Sequence, residues 1–156
     1  MKSFRMVALF ALTFVLAPVL FASDFGIRAG RFNDTDQDFV GVDMLYNLGA
    51  LNLNPNIEYS LEDDVTAGTA NLDVTFDLIN VARIRPYVGA GVGLAYRDDD
   101  LTATTNVVGN LIGGFSFDLA SLKPYAQVKY VRVLDDDDNG GGDAEDDIAF
   151  TVGLRF

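Results

Sequence analysis

The chain has 156 residues and a formal net charge of −12, from 23 acidic and 11 basic side chains. That length suits one domain, and there is no Cys, no His and no Trp. A disulfide framework, every His-based catalytic triad and every His-ligated metal site are therefore excluded, so the fold must rest on its own hydrogen bonds and packing.

The first segment reads as a targeting signal. Lys2 and Arg5 give a positive start, and an apolar run from Met6 to Val19 follows, interrupted late by Pro18. Leu20-Phe21-Ala22 then offers a small residue before Ser23. This is the layout of a secretory signal peptide, residues 1–22, cut after Ala22. The run is shorter than the ~20 residues a spanning helix needs. No Cys follows the cut, so a lipoprotein anchor is not expected. Residues 23–156 form the mature domain.

Eight strands are expected after the signal, at 24–32, 37–46, 53–61, 66–79, 85–96, 104–118, 124–134 and 147–156. Side chains alternate across a strand, so a strand with one oily face alternates in its sequence. Strand one sets Phe25, Ile27 and Ala29 against Arg28. Strand two sets Val40, Val42, Met44 and Tyr46 against Gly41 and Asp43. Strand three sets Leu53, Pro55, Ile57, Tyr59 and Leu61 against Asn54, Asn56, Glu58 and Ser60. In strand four Leu72, Val74, Phe76 and Leu78 oppose Asn71, Asp73, Thr75 and Asp77. Strand five opposes Val88, Ala90, Val92 and Leu94 to Gly89, Gly91 and Gly93, glycines that leave room on the polar side. Strand six is irregular, with Val107, Leu111 and Phe115 on the oily side but Val108 and Ile112 on the other. In strand seven Ala126, Val128 and Tyr130 oppose Gln127 and Lys129. The last strand alternates without error, with Ile148, Phe150, Val152, Leu154 and Phe156 on one side and Ala149, Thr151, Gly153 and Arg155 on the other.

The connections fall into two alternating sets. After strands one, three, five and seven they are acidic: 33–36, 62–64, 98–100 and 135–147. After strands two, four and six they are short and nearly free of acid. An up-and-down barrel puts the two sets at opposite ends, and bacterial barrels have short periplasmic turns and longer outer loops. The charged residues sort the same way. Arg28, Asp43, Glu58, Asp73, Lys129 and Arg155 fall on the inner face, as do Asp24, Asp77, Arg85, Asp118 and Lys123, and only Arg31 and Arg132 fall outside, near the loop end. A Lys or Arg facing lipid at mid-depth costs ~2–4 kcal/mol, which is reason enough to keep charges inside. Phe25, Tyr46, Phe76, Phe117 and Phe156 would band at the turn end, and Tyr59, Tyr96, Tyr130 and Phe150 at the loop end, as two interfacial girdles.

With these residues in place the chain resembles the small eight-stranded outer-membrane β-barrel family typified by the OmpA transmembrane domain and OmpX. The best local matches are Arg85-Pro86-Tyr87-Val88-Gly89-Ala90-Gly91-Val92-Gly93 and the closing Phe150 to Phe156, which resembles the C-terminal assembly signal of such barrels. The resemblance implies an all-β, eight-stranded antiparallel up-and-down transmembrane barrel in the bacterial outer membrane. It also implies folding helped by the barrel assembly machinery through the last strand. Members include structural anchors, adhesins, resistance factors and a few lipid-modifying enzymes. Unlike in OmpA, no C-terminal peptidoglycan-binding domain is expected, and the outer loops are short.

The function expected is a non-enzymatic structural or surface role, without a nucleic-acid partner and as a monomer, in contact with outer-membrane lipid and lipopolysaccharide. The alternative is a narrow pore, although eight strands enclose a space that side chains can fill. A lipid-modifying enzyme is a third reading. Barrel deacylases use a Ser–His arrangement, and here only a carboxylate base on Ser60 or Ser116 could stand in. Two sites are expected outside the lumen. Arg31 and Arg132 would flank the last strand and grip lipopolysaccharide phosphate. The loop after strand seven places Asp135, Asp137, Asn139, Asp143 and Asp146 at EF-hand-like spacing, with Gly140 sixth. It either binds Ca²⁺ weakly, in the ~10⁻⁴–10⁻³ M range of extracellular modules, or is a plain solvated acidic loop. No other cofactor is expected.

Overall fold

The computed structural model describes residues 24–61, 66–79, 81–99, 102–134 and 146–156. The expected signal peptide lies outside them. Eight strands follow in order: β1 Asp24–Phe32, β2 Asp38–Leu48, β3 Leu51–Ser60, β4 Thr66–Asp77, β5 Ile84–Asp99, β6 Thr102–Phe117, β7 Lys123–Val133 and β8 Asp146–Arg155. Each pairs antiparallel with its neighbour in sequence, and β1 pairs with β8, so the sheet closes on itself. The closing ladder runs from Gly26 opposite Arg155 to Phe32 opposite Ala149. Beyond it, Phe25 and Phe156 exchange backbone hydrogen bonds of 3.0 and 2.9 Å, and their rings meet edge to face at 5.6 Å. The aromatic C-terminal residue therefore completes the seam.

The expected strands differ from these mainly at their ends. The β5–β6 hairpin is longer than its apolar alternation, because Tyr96 to Asp99 continue the ladder against Thr102 to Thr105. Backbone pairing itself needs no oily face. β3 starts earlier than expected because Leu48 pairs directly with Leu51 across a two-residue turn.

Strand tilt follows from the register. The row that starts at Phe39, beside the first loop, passes through Gly30, Thr151, Gln127, Gly114, Tyr87 and Asp77. Asp77 then bonds to Ala50, in the turn at the far end of the hairpin where the row began. One circuit of the ladder thus traverses the whole height of the barrel, which is the stagger that closure requires.

A proline inside a closed sheet removes a ladder donor. Leu61 donates to Asp38 across the β2–β3 ladder, so Pro55, six residues earlier on the same side, faces the Met44 carbonyl with no N–H to give. The side-chain amide of Asn54 takes that carbonyl instead, at 2.6 Å. Met44 lies on the outer face by register, opposite Phe25, yet it is buried, with the Tyr46 hydroxyl 3.5 Å from its sulfur.

The short turns need positive φ. Gly49 supplies it at 85°, Ala82 and Arg83 adopt 50° and 75°, and Ala120 adopts 64°. Two adjacent positive φ values define the type I′ hairpin turn, which Asn-Gly fills with less strain. For an L-residue with a Cβ the left-handed conformation costs ~1–2 kcal/mol. Ala120→Gly is therefore expected to stabilise the refolded protein by about 1 kcal/mol, read as an upward shift of the urea midpoint.

Candidate functional site

The residues that cannot reach water are mostly polar. Arg28, Asp43, Glu58, Asp73, Lys129 and Arg155 are all buried inside the barrel, together with Asn54, Asn56, Asn71 and Asn110. These six charges, expected on the inner face, are brought together there.

Three carboxylates and three cations interleave. Asp43 on β2 accepts from Arg155 Nε at 2.6 Å and from the Tyr125 hydroxyl at 2.8 Å, with Arg28 Nε at 3.5 Å. Glu58 on β3 accepts from Arg28 Nη1 at 2.9 Å, Lys129 Nζ at 3.1 Å and the Thr69 hydroxyl at 3.0 Å. Asp73 on β4 accepts from the amides of Asn56 at 2.8 Å and Asn110 at 3.0 Å, with Lys129 Nζ at 3.7 Å. Arg28 also donates to Asn54 Oδ1 at 3.1 Å. The Arg155 guanidinium lies 3.9 Å from the centre of the Tyr125 ring, a close cation–π contact.

The glycines of β5 do not leave the room expected of them. A Cβ on Gly91 or Gly93 would collide with the Asp73 and Asn71 side chains, and one on Gly89 would collide with Thr75. The missing β5 side chains are what allow those of β4 to lie across the lumen. Gly153 does the same for the Tyr125 ring on the neighbouring strand.

The two ends of the lumen close differently. At the turn end Lys123 bonds both oxygens of Asp24 at 2.7 and 2.8 Å, Asn52 donates to Asp77 at 3.0 Å and Arg85 pairs with Asp118. The cavity between them is about 20 Å³, space for about one water. Toward the loop end the lumen turns apolar. Phe39, Val108 and Ala149 are buried there, beside the strand-end residues Phe32 and Val133. The rings of Phe32 and Phe39 are 5.1 Å apart.

Sequence reasoning passed over Phe39, Tyr87, Asn110 and Tyr125. Alternation was a sufficient signal for each, since every one sits an even number of residues from an inner-face neighbour. Tyr87 is buried and donates to Gln127 Oε1 at 3.1 Å.

Arg31 and Arg132 flank β8 as expected, opposite Phe150 and Asp146. Neither is free of carboxylate. Arg31 bonds Asp36 at 2.8 Å and faces Asp38 at 3.5 Å, and Arg132 lies 3.7 Å from Asp146. Their side chains remain 54 % and 58 % exposed. Of the EF-hand-like set, Asp135, Asp137, Asn139 and Asp143 lie outside the described residues. Asp146 accepts from the Tyr130 hydroxyl at 2.5 Å as well as facing Arg132. The hydroxyl of Ser60 is buried without a hydrogen-bond partner, so no carboxylate activates it.

Neither a protein-family model nor a curated protein sequence matches the chain. Solved structures share its fold. Neisserial surface protein A (NspA) matches with a TM-score of 0.62 at 12 % identity, over 85 % of this chain and 93 % of that one. The N-terminal β-barrel domain of Pseudomonas aeruginosa OprF matches at 0.59 and 18 % identity, over 86 % and 98 %. The outer membrane enzyme PagL matches at 0.57 and 12 % identity, over 86 % and 99 %. At these identities the likeness is one of fold, and the fold is that of the small eight-stranded barrels, as the sequence led one to expect.

The lumen network carries a stability prediction. Removing one partner of a buried ion pair leaves the others uncompensated and typically costs ~3–5 kcal/mol. Asp43→Ala takes the paired carboxylate from Arg155 and leaves Arg28 to Glu58 alone, and it is expected to fall in that range, measured as the loss in urea unfolding free energy of the refolded barrel.

Proposed function

We propose that the chain is a monomeric protein of the bacterial outer membrane with a structural or surface role, its lumen sealed and without catalytic activity. The observation that carries this is inverted sorting. Charged and amide side chains fill the interior, while Ile27, Leu111 and Val152, on three different strands, are 52 %, 61 % and 62 % exposed on the outside. In water such an exterior would be a continuous apolar patch far beyond what a soluble monomer tolerates. In a bilayer it is what a barrel presents to lipid, and closure leaves no backbone edge unsatisfied. The shared fold with outer-membrane proteins supports the same setting. β8, with its alternating oily face and terminal Phe156, would engage the assembly machinery.

PagL, an enzyme, has this fold as well, so fold alone does not decide catalysis. Against catalysis stand the absence of His from the whole sequence and the unpartnered hydroxyl of Ser60. A polar lumen would suit a pore, but here its ion pairs occupy the cross-section and Phe39 and Val108 line the loop end. Planar-bilayer recording of the refolded protein is expected to give no steady conductance steps. Regular ohmic steps of porin size would overturn the sealed lumen.

Arg31 and Arg132 would hold lipopolysaccharide phosphate by exchanging their local carboxylates for a bidentate phosphate contact. Their half-exposed guanidinium groups on the outer face at the loop end support this. Arg31→Gln combined with Arg132→Gln is expected to abolish the rise in melting temperature that lipopolysaccharide gives the refolded barrel. An unchanged rise would sink the site.

A further inference from the structure

The tips of the three turns opposite the acidic loops, Gly49-Ala50, Ala82-Arg83 and Ala120-Ser121, are flanked by large aliphatic residues. Leu48, Leu78, Ile79, Val81, Leu119 and Leu122 are each between 45 % and 68 % exposed. Hairpin tips in water favour Asn, Asp, Gly and Ser, whose side chains suit both the geometry and the solvent. Gly49 and Ser121 fit that preference, but the residues beside the tips of the β2–β3, β4–β5 and β6–β7 turns present aliphatic side chains at three separate points of the rim. Phe25 and Phe156, at the β1–β8 seam, supply a fourth.

The charges at this end do not interrupt the collar. Asp24 is tied to Lys123, Asp77 to Asn52 and Asp118 to Arg85, all around the mouth of the lumen. Arg83 is the one cation on these turns among the described residues, and it is exposed. The collar is also continuous with the apolar exterior, since Leu51 at the base of the first turn pairs with Phe76 on the outer face, and both are exposed.

We infer that the turn end is itself embedded, the aliphatic side chains beside its tips lying at the acyl–headgroup boundary of the phospholipid leaflet and Arg83 reaching the phosphates by snorkelling. This rests on the bilayer reading above. Phospholipid is the occupant that a ring-shaped surface fits: it contacts all four points of the rim at once, whereas a docked protein would cover one side. The ion-paired mouth of the lumen then opens at headgroup level.

The absence of Trp from the chain makes the test clean. Ile79→Trp, Leu119→Trp and, as a mid-strand reference on the outer face, Leu111→Trp each provide one reporter in the full mature chain. Each is refolded into phosphatidylcholine vesicles with or without brominated acyl chains. Both turn reporters are expected to emit at the short wavelengths of an apolar surrounding and resist acrylamide. Bromolipid should quench them to within about two-fold of the reference, as burial ~5–10 Å into the interface requires. Water-like emission with strong acrylamide quenching at both turns, while the Leu111 reporter is quenched by bromolipid, overturns the embedded collar alone. A Leu111 reporter untouched by bromolipid overturns the bilayer reading beneath it. Val81→Trp replaces either turn variant should it fail to refold.

Discussion

Charges sealed inside a narrow barrel must neutralise one another, because water cannot reach them. Asp43, Glu58 and Asp73 on β2, β3 and β4 face Arg28, Lys129 and Arg155 on β1, β7 and β8, so the balance joins strands from both sides of the seam. A slip of one residue in any of these ladders would turn a charge out to the apolar exterior and leave its partner uncompensated within. Register, closure and lumen filling are therefore one constraint. The amides of Asn54, Asn56 and Asn110 donate to Asp43 and Asp73, and Asn54 Oδ1 accepts from Arg28; such added bonds help make a buried ionic network tolerable.

The lumen is filled asymmetrically. β5 contributes glycines where β4 contributes Asn71, Asp73 and Thr75, and Gly153 gives way to the Tyr125 ring. Small and large side chains face each other across adjacent strands, so a circular cross-section is occupied without steric conflict. The same economy of space explains why Arg155 can sit over the Tyr125 ring while bonding Asp43. Pro55 fits the sheet interior for a related reason: an inward amide, Asn54, takes the carbonyl that the proline cannot serve.

The two ends differ in their chemistry. Aliphatic turns and inward-facing ion pairs mark one end, and acidic loops with half-exposed Arg31 and Arg132 mark the other. In the proposed bilayer setting that polarity determines which end can meet the aqueous exterior. It also places the apolar layer of Phe39 and Val108 on the loop side of the ionic network, where it shields the carboxylates from outside solvent.

The alternation of oily and polar residues by itself determined the strand count, the face each charge occupies and the two-ended pattern of connections, because a period of two leaves a side chain only two directions. The irregular β6, with Val108 and Ile112 turned inward, was legible for the same reason. Which charges meet was not legible, since alternation carries no information on stagger between strands. Arg28 reaches Glu58 two strands away, and Tyr125 reaches Asp43 across the closing seam, only because the tilt brings those heights together. The glycines of β5 read as empty space in one dimension and turned out to be space already taken by the next strand. That difference belongs to tertiary structure alone, because whether a missing side chain leaves a hole depends on what a neighbouring strand extends into it.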